Sequence, residues 1–261
     1  RSYNHTGVRV HGTVQKNVVA TGADLVGYTG WSLSNYFDQP YNARLNLQSI
    51  SVSAWVKRDS GSALRYVYAR GTADASETVR LGISDAGIYF DYGDGSAYTQ
   101  TNTGFPNGVW TQVVCAVRAN ERGVVYVNGV KQGTSVNNVA PSALLSAGTY
   151  TSLIGRHYDN NADYVFSGSI ALLRVSGETP TAEEVEAMYT DEKALFQANA
   201  KATIYGNSNN ITGSDYDDAT NCLHAGTSAG RSVFQGLRRV DNTTGAVIYS
   251  VSASDDLVAE N

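Results

Sequence analysis

The feature that most constrains this chain is a hydrophobic period of two. Ile50, Val52, Ala54 and Val56 alternate with Ser51, Ser53, Trp55 and Lys57, and Val79, Leu81 and Ile83 alternate with Arg80, Gly82 and Ser84. Successive side chains of a strand point to opposite faces, so each run has one face for a core, and Trp55 can cover the other. In Val125-Tyr126-Val127-Asn128-Gly129-Val130-Lys131 the Asn-Gly pair supplies the two positive-φ residues of a type I′ turn, which predicts a tight hairpin. Gly87 to Phe90, Trp110 to Val117, Ser152 to Arg156 and Gly168 to Val175 read as further strands. Turn-forming clusters such as Asp91-Tyr92-Gly93-Asp94-Gly95 separate them. Strands of this kind bury their apolar faces by laying one sheet on another, so the expected class is all-β.

Composition narrows the choice. Of 261 residues 42% are hydrophobic and 16% charged, which is too apolar for a disordered tail, while 26 Gly and 17 Tyr suit short strands and tight turns. Lys and Arg number 19 against 24 Asp and Glu, a net charge of −5 with no basic run, so a nucleic-acid partner is not expected. No window approaches the roughly 20 apolar residues that span a bilayer, so membrane insertion is not expected either. Arg1 in first place implies a start inside a longer polypeptide or after a cleavage. Cys115 lies in the apolar run Val113 to Val117 and Cys222 far beyond it; two isolated thiols make no disulfide framework and read as small hydrophobes.

Four segments follow. Residues 1–22, with Val8, Val10, Val14, Val18 and Val19, form a lead-in strand and linker, and residues 23–180 form the β-sandwich. Residues 181–199 form a helix opened by the capping box Thr181-Ala182-Glu183-Glu184, with Val185, Met188, Tyr189, Leu195 and Phe196 on one face. Residues 200–261 form a β-hairpin appendage. Its strands are Ile204-Tyr205, Ile211 to Ser214, Leu223 to Thr227 and Ser232 to Phe234, and a last hairpin from Val240 to Val251 turns at Asn242-Thr243-Thr244-Gly245.

The residues for catalysis are poorly placed. A retaining glycosidase needs two carboxyl groups about 5 Å apart, yet no Glu is paired at i, i+2 with another acid in a strand-like run. Asp91, read as the end of a strand, lacks such a partner. His5, His11, His157 and His224 are scattered, and there is no nucleophile elbow or phosphate loop. What stands out is the loop Arg156 to Tyr164. A sugar is held by stacking its C–H face on an aromatic ring and by bridging its hydroxyls with amides and carboxylates. His157, Tyr158, Asp159, Asn160, Asn161 and Asp163 supply such groups and are the candidate glycan contacts, although Asp and Asn also favour turns for their own sake. Asp159 and Asp163 are candidate ligands for calcium, the one cofactor the loop could hold, but its spacing is not that of a helix-loop-helix calcium site. Tyr92, Asp94 and Tyr98 read as an ordinary turn with exposed tyrosines.

Ser51 to Lys57, Val109-Trp110-Thr111-Gln112-Val113-Val114, the Tyr126 to Val130 hairpin and Phe166 to Ala171 with its Thr-Ala-Glu-Glu helix occur in an order that resembles the laminin G-like, concanavalin A-like lectin/glucanase family. The resemblance covers roughly residues 23 to 190 and implies a jelly-roll sandwich. Where that family often has an acidic residue after the isoleucine of its last strand, this chain has Ala171, which puts a metal or sugar contact there in doubt. The flanks, Ala20 to Val26, Asn35 to Tyr41, Leu195-Phe196-Gln197 and Gly230 to Thr244, are similar to tail-fibre or receptor-binding proteins of tailed bacteriophages that carry a lectin-like domain. That likeness implies a non-catalytic module on a virion or another extracellular surface, a homotrimer, and a host surface polysaccharide or receptor as partner. A structural module of a virion or surface assembly, and a glycan hydrolase on the same fold, are the alternatives. The tail from Ile211 to Phe234 also looks like one blade of a β-propeller, which cannot close a ring alone.

Overall fold

Each alternating run becomes a strand with one face turned inward. The computed structural model describes residues 7–42, 48–71, 78–93, 97–101, 104–135, 140, 150–200, 211–236 and 238–244. The chain divides into two compact units, Arg1–Asn17 with Val26–Asp191, and Val18–Leu25 with Glu192–Asn261.

The first unit contains two antiparallel sheets. An eight-stranded sheet runs in the order β1 (Arg9–His11), β4 (Tyr36–Gln39), β14 (Ser152–Ile154), β6 (Arg65–Arg70), β7 (Thr78–Ile83), β8 (Ile88–Gly93), β9 (Ala97–Thr101) and β13 (Thr134–Ser135). A seven-stranded sheet runs β12 (Val130–Lys131), β11 (Val124–Val127), β10 (Thr111–Arg118), β5 (Ser49–Arg58), β15 (Gly168–Ser176), β3 (Val26–Thr29) and β2 (Gln15–Val18). Val52, Val56, Val113 and Cys115 of the second sheet meet Val67, Val79, Leu81, Ile83 and Phe90 of the first in one core, all fully buried. Burial pushes the Cys115 thiol far above its ordinary value, and Cys115 and Cys222 are both free.

The outer face of β5 is covered too. Trp55 is buried and stacks on Tyr189 with ring centroids 5.7 Å apart, while Val114, Tyr126 and Val185 form a second apolar cluster. Tyr189 and Val185 belong to α1 (Ala182–Glu192), which ends sooner than expected and passes into a 3-10 turn at Lys193–Phe196. Its capping box forms as anticipated: the Glu184 amide donates to Thr181 Oγ1 at 3.2 Å, and the Thr181 amide to Glu184 Oε2 at 2.8 Å. The hairpin also forms, with Asn128 and Gly129 at φ 50° and 81° and Val127 opposite Val130.

Two differences from the sequence reading have physical causes. The segment 1–22 supplies β1 and β2, which are edge strands. Arg9 clamps the buried Asp38 carboxylate at 2.7 and 2.8 Å, and His11 Nε2 lies 3.0 Å from it, so ion pairing and not valine burial holds β1. In the second unit β16 (Ile211–Asp217), β17 (Cys222–Thr227), β18 (Gly230–Gln235) and β19 (Arg238–Thr243) form a four-stranded antiparallel sheet. Asn242 and Thr243, expected in a turn, lie in β19 opposite Ser232 and Arg231, because the reversal comes earlier, between Gln235 and Arg238. Ile204, Tyr205 and the segment from Gly245 to Val251 lie outside the described residues.

Two substitutions test this account. Phe90→Ala should cost about 3–5 kcal/mol in chemical unfolding, because the ring is fully enclosed between the sheets. Thr181→Ala should cost about 1 kcal/mol, the loss of one helix cap.

Candidate functional site

One buried arginine shapes the loop after β14. Gly155 has φ 84°, and a Cβ there would lie 2.2 Å from the Trp31 ring, so only glycine lets the chain leave β14 at this angle. Arg156, 6% exposed, then donates Nη1 to the Leu33 carbonyl at 2.6 Å, Nε to the His157 carbonyl at 3.0 Å, and Nη2 to Asn160 Oδ1. Its guanidinium carbon also lies 4.7 Å from the Tyr36 ring centroid. Two side-chain turns follow: the Asn161 amide donates to Asp159 Oδ1 at 3.1 Å, and the Asp163 amide to Asn161 Oδ1 at 2.9 Å. Asn160, between them, takes a left-handed φ of 56°.

This scaffold decides which groups face outward. Asp159, Asn160, Asn161 and Asp163 are exposed, and Tyr158 and Tyr164 are half-buried. The Asp163 carboxylate has no partner among the described residues. Asp159 is partly committed, since its Oδ1 lies 2.9 Å from His157 Nδ1. Burial alone would raise the Asp159 carboxyl, but the hydrogen bonds from His157 and the Asn161 amide outweigh it and hold the group below its ordinary value.

Beneath the loop lies a polar cluster on the outer face of the eight-stranded sheet. Arg80 of β7 is directly opposite Asp91 of β8, with Nε 3.1 Å from Asp91 Oδ2, and its Nη1 donates to the Tyr158 hydroxyl at 2.8 Å. The His157 ring packs against Tyr158, Tyr66 and Tyr164 at 3.8, 4.5 and 5.4 Å between centroids. Burial lowers the His157 imidazole and raises the Asp91 carboxyl, in the second case against the opposing pull of Arg80. Burial likewise raises the Tyr66 and Tyr158 hydroxyls.

Of the six expected glycan contacts, five are brought to the loop surface. His157 is corrected: at 4% exposed it supports the loop from below. Asp91 does not end a strand but lies inside β8, tolerated there because Arg80 faces it. Asp159 and Asp163 share one loop, yet no cluster of three or more His, Cys, Asp or Glu side chains able to hold a metal occurs among the described residues. Ala171 is buried in β15 opposite Trp55. Tyr92 is a core residue, its hydroxyl 2.9 Å from Thr99 Oγ1 and accepting from the Gly123 amide at 3.0 Å. Asp94 lies outside the described residues, and of Tyr98 only the backbone register opposite Asp91 is described. Arg80 and Tyr66 were missed as parts of the site, and Arg156, though it opens the loop singled out, was not among the candidate contacts. The outward position of Arg80 in the β7 alternation was the only local sign of it.

The loop's anchoring makes two predictions. Gly155→Ala should lower the melting temperature and weaken any binding at the loop, since Cβ and Trp31 cannot share the space. The buried His157 resists the proton that the unfolded chain takes up near the ordinary value of 6.5. The contribution of His157 to stability is therefore full above that pH and declines as pH falls from it toward the lower folded value. His157→Gln should flatten that decline in urea unfolding measured between pH 7 and 5.

A model of the concanavalin A-like lectin/glucanases superfamily matches residues 32–186. No curated protein sequence matches the chain. Among solved structures, domain 4 of AbnA, an extracellular GH43 arabinanase of Geobacillus stearothermophilus in complex with arabinotriose, is similar with a TM-score of 0.53 at 17% identity, over 70% of this chain and 87% of that one. The binding domain of Paraclostridial Mosquitocidal Protein 1 gives 0.56 at 13% identity, over 88% of this chain and 61% of that one. The binding domain of botulinum neurotoxin DC in complex with rat synaptotagmin II gives 0.53 at 13%, over 89% and 58%. These likenesses are of fold, and no helix among the described residues is long and apolar enough to cross a membrane. With the superfamily match extending over more than half of its length, on a sandwich of two antiparallel sheets, the chain belongs to the concanavalin A-like lectin/glucanase superfamily.

Proposed function

We propose that this chain is a non-catalytic recognition module whose loop Tyr158 to Asp163 holds a host surface glycan or protein receptor, as the receptor-binding part of a bacteriophage tail fibre. The observation that carries the reading is the combination at that loop of outward Asn160, Asn161 and Asp163 groups with half-buried Tyr158 and Tyr164, all on a backbone fixed by Arg156. A ligand meeting groups already in place loses less ordering entropy on binding. Fold relatives that hold arabinotriose or synaptotagmin support a binding role for the sandwich. Against hydrolysis stands the state of Asp91, whose carboxyl is buried beside Arg80 and not opposed to a second acid across an open cleft.

The virion setting rests on the resemblance of the flanks, and with it comes a homotrimer that multiplies weak contacts. Exposed Ile211, Tyr216 and Val240 on the second unit support association through that part, and the same residues favour the alternative of a structural assembly module.

Binding of the purified chain to a panel of bacterial surface glycans, with calcium and again with a chelator, tests the reading. Selective binding without product release is expected. Asp163→Ala should abolish it with the melting temperature nearly unchanged. Tyr158→Ala should abolish it and also lower the melting temperature, since it removes a ring packed on His157 and a hydroxyl held by Arg80, and unchanged binding in both variants would remove the loop. Loss of binding on chelation would show a bound metal and support calcium at Asp159 and Asp163. Sedimentation should give a trimer, and a monomer would remove the fibre assembly.

A further inference from the structure

A recess of about 630 Å³ opens beside the loop Tyr158 to Tyr164 and shares only Ala162 with it. Its volume is that of an ordinary small-molecule site. Trp31 and Phe166, 8% and 2% exposed, give it apolar lining, and Ser34, Asp59, Arg65 and Ser167 give it polar groups.

The state of the two charged side chains is informative. Arg65 donates Nη1 to the Val165 carbonyl at 3.0 Å, which fixes the guanidinium. No carboxylate lies within ion-pair distance of it among the described residues, so Nε and Nη2 are left for a ligand. Arg58, buried nearby, adds positive charge; burial lowers its pKa, Asp85 opposes the shift and Arg65 adds a little to it. Asp59 accepts from Ser167 Oγ through Oδ2 at 3.1 Å, which leaves Oδ1 as an acceptor.

A planar guanidinium fork with two unused donors matches a carboxylate in two-point contact. The carboxylate acceptor and the serine hydroxyls match sugar hydroxyls. A neutral sugar would cover Arg65 without pairing it, at a desolvation cost. A polyanion would meet Asp59.

We propose that this recess is a subsite for an acidic sugar, a pyranose ring bearing a carboxylate, with Arg65 on the carboxylate and Asp59 on the hydroxyls. The inference rests on the recognition reading above but not on its loop.

Titration of the full chain with methyl β-D-glucuronide and with neutral methyl β-D-glucoside, followed by saturation-transfer NMR, tests it. The glucuronide should bind at least tenfold more tightly. Arg65→Gln should erase that preference, and Asp59→Asn should weaken both sugars while keeping it. Melting temperatures near that of the parent chain would show that the Val165 contact is not the cause. Equal binding of the two sugars, or a preference that survives Arg65→Gln, overturns the inference. A preference lost in Asp163→Ala alone overturns it in favour of the loop. A preference lost in Arg65→Gln alone supports it, even with the loop excluded. Binding of neither these sugars nor any panel glycan overturns both readings.

Discussion

A sandwich needs one strand that can be buried on both faces, and here that strand is β5. Its inner side chains, Ile50, Val52, Ala54 and Val56, lie in the core between the sheets, and its outer Trp55 lies beneath Tyr189 of α1. Both edges are paired, to β10 over Thr111–Arg118 and to β15 with one bulge between Ala171 and Arg174, so most of the long run of backbone polar groups is bonded. The helix is therefore a cover for the seven-stranded sheet and not a spacer between parts of the chain. The terminal strands depend on this middle, because β1, β2, β12 and β13 are too short to bury much themselves.

Elements decided by local rules were legible in the residues. The alternation of β5 and β7, the Asn128-Gly129 turn and the Thr181 to Glu184 box each depend on a few neighbours, and each formed as read. Elements decided by distant partners were not legible. Val8, Val10 and Val18 alternate as a buried strand would, yet they are more than half exposed, since Asp38, far along the chain, is what β1 binds. Asp91 reads as a turn residue because a carboxylate inside a strand is costly, and only Arg80 on the next strand offsets the cost. The loop's position could be read from its composition. The roles within it could not, for nothing local separates the buried His157 from the exposed Asn160.

At the site, two shielded arginines do the shaping, and of the outward groups the Asp163 carboxylate remains uncommitted. Arg156 satisfies carbonyl groups that a tight loop would otherwise leave without donors, and Arg80 pins the Tyr158 hydroxyl from the sheet below. The geometry of the loop is thus set by interactions shielded from water and salt, which screening weakens far less than it weakens surface pairs. A change of sequence at Asp163 could alter what is recognised with little demand on the scaffold, whereas Asn160 and Asn161 bind the frame through their side-chain oxygens and are less free to vary.

The pairing of β5 has a consequence for how the chain comes together. Its partners on either side, Thr111–Arg118 and Gly168–Ser176, enter the chain some 60 and 120 residues later. Until both have been synthesised, the strand destined for the centre of the molecule has two open edges and an uncovered apolar face. Contacts of such long sequence separation form slowly because loop closure must precede them. The partly made sandwich is thus the species most exposed to sticking to its own kind, and arrival of β15 ends that interval.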